Sequence, residues 1–148
     1  MLKSLIMKLS ASTVADPEDK EDAARVAIAA ILIEAAMADE VYAAEEQAQI
    51  GRILEDRFGL SADEASALRE RGQEAQSEAM DLVRFTRVLK DAIPFEERVN
   101  VIEAVWRVIY ADGDRDYQES ALVRKLCGLL YIPDRDAGLA RQRVLEAG

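Results

Sequence analysis

Arg25-Val-Ala-Ile-Ala-Ala-Ile-Leu-Ile-Glu-Ala-Ala-Met-Ala-Asp39 is the stretch that decides the fold of this 148-residue chain. Its apolar residues, Val26, Ile28, Ile31, Leu32, Ile33 and Met37, lie nearly all the way round a helical wheel. A helix that is apolar on most sides belongs at the centre of a bundle. Seventy-three residues on, from Arg98 to Asp112, a second such stretch carries Val99, Val101, Ile102, Val105, Trp106, Val108 and Ile109. In that register Arg25 falls on Arg98, Leu32 on Val105, Ala38-Asp39 on Ala111-Asp112, Glu46 on Glu119, Ile53 on Leu126 and Phe58 on Tyr131, without a gap. Two helical hairpins of similar period would match by chance at many apolar positions, but less readily at the Asp and Glu positions. Each half reads as a central helix, an Ala-Asp pair, a short loop, and a helix with Glu seven residues beyond the Asp.

Outward from these two stretches the helical period continues, and no sustained β-branched alternation reads as a strand. Asp16-Pro17 supplies a cap and a first-turn proline for the first central helix. A helix follows from about Ala43 to Arg57, ending at Gly59, and Ser61-Ala-Asp-Glu64 has the form of a capping box opening the next. Leu82, Val83, Phe85, Val88 and Leu89 mark another, and Pro94 starts the second central helix. A helix is expected from about Tyr117 to Tyr131, and Pro133 opens a last short one. Ahead of all these, Leu2, Leu5, Ile6 and Leu9 form one apolar face of a short amphipathic helix. The class is all-α. The expected organisation is an N-terminal helix and tether over 1–15, then one compact helical domain over 16–148. About seven to eight helices are expected, built from two hairpins related by a pseudo-twofold axis.

Composition removes most chemistry. There is no histidine and a single cysteine, Cys127, so imidazole bases, catalytic triads, disulfides and thiolate metal cages are excluded. Lys+Arg 19 against Asp+Glu 29 gives a net charge of −10, which repels nucleic acid. The longest apolar run, Ala27 to Ile33, stops at Glu34 and is too short for a membrane span. Met1 to Ser10 lacks a long central apolar run and a cleavage site, so no signal peptide is expected and the expected location is the cytoplasm.

Met37-Ala-Asp39 with Glu46, and Tyr110-Ala-Asp-Gly113 with Glu119, resemble the paired motifs of the TerB-like family, named for tellurite resistance. Phe58-Gly-Leu-Ser61, Val83-Arg-Phe-Thr-Arg87, Glu103-Ala-Val-Trp-Arg107 and Leu130-Tyr-Ile-Pro-Asp134 extend the similarity from about Asp22 to Arg143. The first copy departs from the pattern at Glu40, where the family favours glycine, and at Ala43, where a polar cap is absent. The resemblance implies an all-helical domain, clustered acids that bind a divalent metal, and an association with tellurite and chemical-stress resistance. It implies no known reaction.

The residues themselves lead to similar chemistry. Asp112, Asp114 and Asp116 alternate like the opening ligands of a calcium loop, but Tyr117 and Val123 stand where an EF-hand needs glycine and glutamate. A shorter arrangement remains, with Asp39, Glu46, Asp112, Asp114 and Glu119 as candidate ligands. Only oxygen donors are on offer, which suits Ca²⁺, Mg²⁺ or Mn²⁺. Two carboxylates about 7 Å apart repel by ~0.6 kcal/mol in water and ~2.4 kcal/mol at an effective dielectric of ~20, so a counter-ion gains most where they are partly buried. The competing reading is a plain turn in which Asp116 and Glu119 cap a helix.

Other residues read as structure: Glu34 facing solvent or a basic side chain, Arg25 and Arg98 in exposed ion pairs rather than behind the acidic loops, Cys127 and Trp106 in the core. Arg84, Arg87 and Lys90 form a solvated stripe too short for a nucleic-acid site. The two lysines of residues 1–10 make membrane-surface contact marginal, and favour docking on the bundle or on a second chain, so a homodimer stays open. The expected function is a non-catalytic acidic module that binds a divalent cation and works with other proteins of a stress-response assembly. The alternative is a metal-independent adaptor that presents its acidic face to a basic partner.

Overall fold

A computed structural model describes residues 17–37, 44–78, 81–111 and 117–147. These form seven helices and no strand: α1 (Pro17–Ala36), α2 (Ala44–Phe58), α3 (Ala62–Glu78), α4 (Leu82–Ala92), α5 (Phe95–Ala111), α6 (Tyr117–Leu129) and α7 (Asp134–Ala147). The all-α expectation holds among the described residues. The expected amphipathic helix at Leu2 to Leu9 and its tether lie outside them.

Both central helices are where their apolar circumference puts them. Every residue from Ala27 to Ile33 is buried, as are Ala35 and Ala36, so α1 has almost no solvent face over its second half. Its neighbours are α2, α3, α4 and α5. The second central helix, α5, buries Val99, Val101, Ile102, Ala104, Val105, Trp106, Val108 and Ile109, and packs on α7 most extensively. Each central helix thus receives the last helix of its own half, α3 on α1 and α7 on α5.

The alanines of α1 allow α3 to come very close. A Cβ placed on Gly72 of α3 would fall 2.5 Å from the Ala29 Cβ and 3.0 Å from backbone atoms of Ala29 and Ala30. The same pair of helices is also tied by the neighbouring Arg71, whose Nη1 and Nη2 donate to the two Asp22 carboxylate oxygens at 3.0 and 2.7 Å. The Arg71 hydrogen bond holds the Asp22 carboxyl below its ordinary value. A depressed carboxylate stabilises the fold above its unfolded pKa and loses that contribution as pH falls through the folded value. Both partners are half-exposed, so the pair is worth under about 1 kcal/mol. Asp22→Asn should therefore lower the melting temperature by a small, constant amount above about pH 5, and the difference from the parent should vanish as acid protonates Asp22.

Helix ends follow local chemistry. Ser61 Oγ accepts from the Glu64 N–H at 3.2 Å while Glu64 Oε1 accepts from the Ser61 N–H at 3.0 Å, the reciprocal capping box expected from Ser61-Ala-Asp-Glu64. Asp81 caps α4 by accepting from the Arg84 N–H at 3.2 Å. The helix opened by Pro133 is not short: α7 runs 14 residues.

The 73-residue register matches the burial pattern, with Ile28 and Val101, Ile50 and Val123, Ile53 and Leu126, Leu54 and Cys127 buried in corresponding pairs. It slips at the caps. Leu60 N–H donates to the Glu55 carbonyl at 3.1 Å across Gly59 (φ +63°), and Ile132 N–H to the Cys127 carbonyl at 2.9 Å across Tyr131 (φ +58°). These equivalent caps are 72 residues apart, so Gly59 rather than Phe58 corresponds to Tyr131, and one residue has been lost after the buried face. Tyr131 holds a left-handed conformation that costs a non-glycine residue about 1 kcal/mol. The Lys90 ammonium, 4.3 Å from its ring centroid, offsets part of that.

Candidate metal centre at the ends of the central helices

The carboxyl ends of α1 and α5 lead into the two acidic segments, and α2 and α6 begin just after them. Asp39, Asp112 and Asp114 lie outside the described residues, as does the side chain of Glu119. Of the candidate ligands, the structure places the Glu46 side chain. It sits in the first turn of α2, half-buried, where the positive end of the helix dipole favours a carboxylate. With Glu45, Gln49 and Arg52 it lines a cleft of about 290 Å³, joined among the described residues by Ala111, the last residue of α5. Glu46 of the first half therefore stands beside the residue that immediately precedes Asp112 of the second. Within the cleft Arg52 Nη2 donates to Gln49 Oε1 at 2.9 Å, which leads that cation along α2 toward a neutral partner. Among the described residues, no three Asp, Glu or Cys side chains converge as a metal-holding group.

Of the other residues weighed, Glu34 departs from expectation, while Arg25 and Arg98 stand away from the acidic segments as expected and Arg25 makes an ion pair. Glu34 is partly buried and accepts from Gln76 Nε2 of α3 at 2.9 Å, so its partner is an amide rather than a basic group or solvent. Arg25 bonds Glu21 at 3.2 Å and lies over the Phe58 ring, 4.9 Å from its centroid. It is about 16 Å along α1 from Ala36, too far to support the acidic segment that follows. Arg98, at the start of α5, lies over Phe95 at 5.8 Å and is likewise remote.

At that far end lies a larger cleft, about 560 Å³, lined by Arg25, Arg57, Phe58 and Glu97 among others. Arg57 also approaches the Phe58 ring, at 5.8 Å, and its Nη2 donates to the Glu97 carbonyl at 3.2 Å. Burial pushes the Arg57 guanidinium down from its ordinary value, against the pull of Glu97. The Nε atoms of Arg25, Arg57 and Arg98 are buried without hydrogen-bond partners. A guanidinium against an aromatic ring exchanges such a bond for cation–π attraction. No sequence periodicity announces this cluster; the only signal is an arginine next to the phenylalanine that precedes the Gly59 cap.

Trp106 and Cys127 are core residues, as expected. Trp106 stacks on Tyr110 with ring centroids 5.5 Å apart, and Arg141 covers it at 5.4 Å while donating through Nε to the Tyr110 hydroxyl at 2.7 Å. Burial, with help from Asp134, pushes the Cys127 thiol up to about 11, so it stays protonated and unreactive at neutral pH. Arg84 and Arg87 are exposed, as expected of a solvated stripe, but its third member, Lys90, is half-buried over the Tyr131 ring.

An all-helical, acidic module with its two central helices ending toward paired acidic segments is the class that fold and site define. The family model described as Tellurite resistance protein TerB matches residues 25–142, which takes in α1 from Arg25 onward, all of α5, both acidic segments and most of α7. The chain belongs to the TerB family, and is in that sense a helical module associated with tellurite resistance. No curated protein and no solved structure gives a significant match to it.

Proposed function

We propose that this TerB-family chain is a non-catalytic module that binds a divalent cation, Ca²⁺, Mg²⁺ or Mn²⁺, between its two acidic segments and uses the loaded surface to engage other proteins of a cytoplasmic stress-response assembly. The observation that supports it is the apposition of Glu46 and Ala111 across the two halves. It puts one candidate carboxylate next to Ala111, the residue that precedes Asp112 in the chain. Asp39, Glu46, Asp112, Asp114 and Glu119 would supply hard oxygen donors, and the ion would relieve a repulsion that grows as the site is desolvated.

Thermal melts with EDTA, Ca²⁺, Mg²⁺ and Mn²⁺ test this. An ion that binds the native fold at ~100-fold above its dissociation constant adds ~2.7 kcal/mol, a rise of roughly 5–10 °C in a domain of this size. Asp39→Asn combined with Asp112→Asn should abolish the rise. A shift that the double variant keeps would place the ion elsewhere and overturn this site, and a melt that no ion shifts would leave the metal-independent adaptor for a basic partner.

A further inference from the structure

A second surface faces the start of the chain. Between α1, α3 and α4 runs a groove of about 480 Å³ with Ala23, Val26, Ala75, Phe85 and Val88 on its floor. Ala23 is exposed and Val26, Ala75 and Val88 are only half-buried, so apolar surface remains open along it. Its rim carries Asp19, Asp22 and Glu78 against Arg71 and Arg84, and Arg71 is already engaged by Asp22. The groove lies along the first turns of α1, where residues 1–16 join the described chain.

We infer that residues 2–9 dock as an amphipathic helix in this groove, Leu2, Leu5, Ile6 and Leu9 against its floor and Lys3 and Lys8 toward Asp19 and Glu78. The dimensions agree. Eight helical residues span ~12 Å, and so does the wall of α1 from Asp19 to Ala27. The seven residues 10–16 reach up to ~24 Å when extended, ample for the chain to reverse across one helix diameter of ~10 Å. The charges agree as well, with two lysines meeting a rim on which acids outnumber bases. The larger cleft on the other side of α1 is a poorer host. Its aromatic floor, Phe58, is already covered by Arg25 and Arg57, and its acids, Glu21, Asp91 and Glu97, are matched in number by those two arginines and Lys20.

The test uses the full chain. Cys127 is buried, so Ser4→Cys supplies the single reactive thiol for a nitroxide on the polar side of the segment. Amide signals of 19–27, Ala75 and 84–88 should be lost by paramagnetic broadening, while those of Arg57, Asn100 and the end of α7 persist. Adding Leu5→Glu and Leu9→Glu, which lie outside the described bundle, should restore the lost signals without altering the rest of the spectrum. Mixing labelled chain with isotope-enriched unlabelled chain separates the occupants. Broadening that appears in the mixture means that a second copy fills the groove and overturns the proposal. Signals unaffected by the nitroxide, or broadened only once anionic vesicles are added, overturn it too.

Discussion

Gly72→Leu is expected to destabilise the fold by about 3 kcal/mol or more, among the largest effects of any single substitution in this chain. The reason is the crossing of α1 and α3. A Cβ at this position already meets the Ala29 Cβ at 2.5 Å, and the next atoms, at 3.0 Å, are backbone. Flexible side chains yield to such an intrusion, but the backbone of α1 is held on all sides by buried neighbours. Gly72→Ala sets the same contact against a gain of ~1 kcal/mol in helix propensity, so it should destabilise by less, about 1–2 kcal/mol. Gly138→Ala in α7 is the control, because its Cβ would meet nothing within 4 Å and only the propensity gain remains. Urea midpoints for the three variants decide the matter. If Gly72→Ala stabilises as Gly138→Ala should, the two helices do not cross this closely.

Leu32→Ala comes next. Leu32 is fully buried in the middle of α1, between elements of both halves, and truncation leaves a cavity that a helix packed all round cannot collapse into. The expected loss is 2–5 kcal/mol, or roughly 10 °C in melting temperature. Leu145→Ala, at a residue 52% exposed in α7, should stay within about 0.5 kcal/mol and serves as the comparison. Equal losses for the two would mean that α1 is not the centre of the bundle.

The central helices were legible because burial on nearly every side, as over 27–36, leaves a composition without a polar stripe. Capping chemistry at Ser61 and Glu64 was legible for a similar reason, since a reciprocal bond needs two residue types at one spacing. The length of α7 was not. Its buried positions, Ala140 and Val144, are few, and Gly138 interrupts the run. The one-residue slip between caps was hidden because Tyr131 takes a conformation that sequence rules reserve for glycine. Arg25 and Arg57 on Phe58 escaped notice because stacking joins residues far apart in the chain and leaves no period. At the candidate centre, residue types and spacing were readable, but spacing along a chain says nothing of which ends meet in space. Only packing of α2 against the end of α5 brings Glu46 to Ala111.

That meeting of ends is the claim on which the functional reading rests, and Mn²⁺ titration followed by amide spectra of the full chain tests it most directly. A shared site predicts that one equivalent of Mn²⁺ broadens the signals of Glu45, Glu46, Ala111 and the start of α6 together, and that Asp39→Asn with Asp112→Asn removes the effect at all of them. Broadening that follows one segment alone, or that spreads over the acidic surface without saturating, would contradict it.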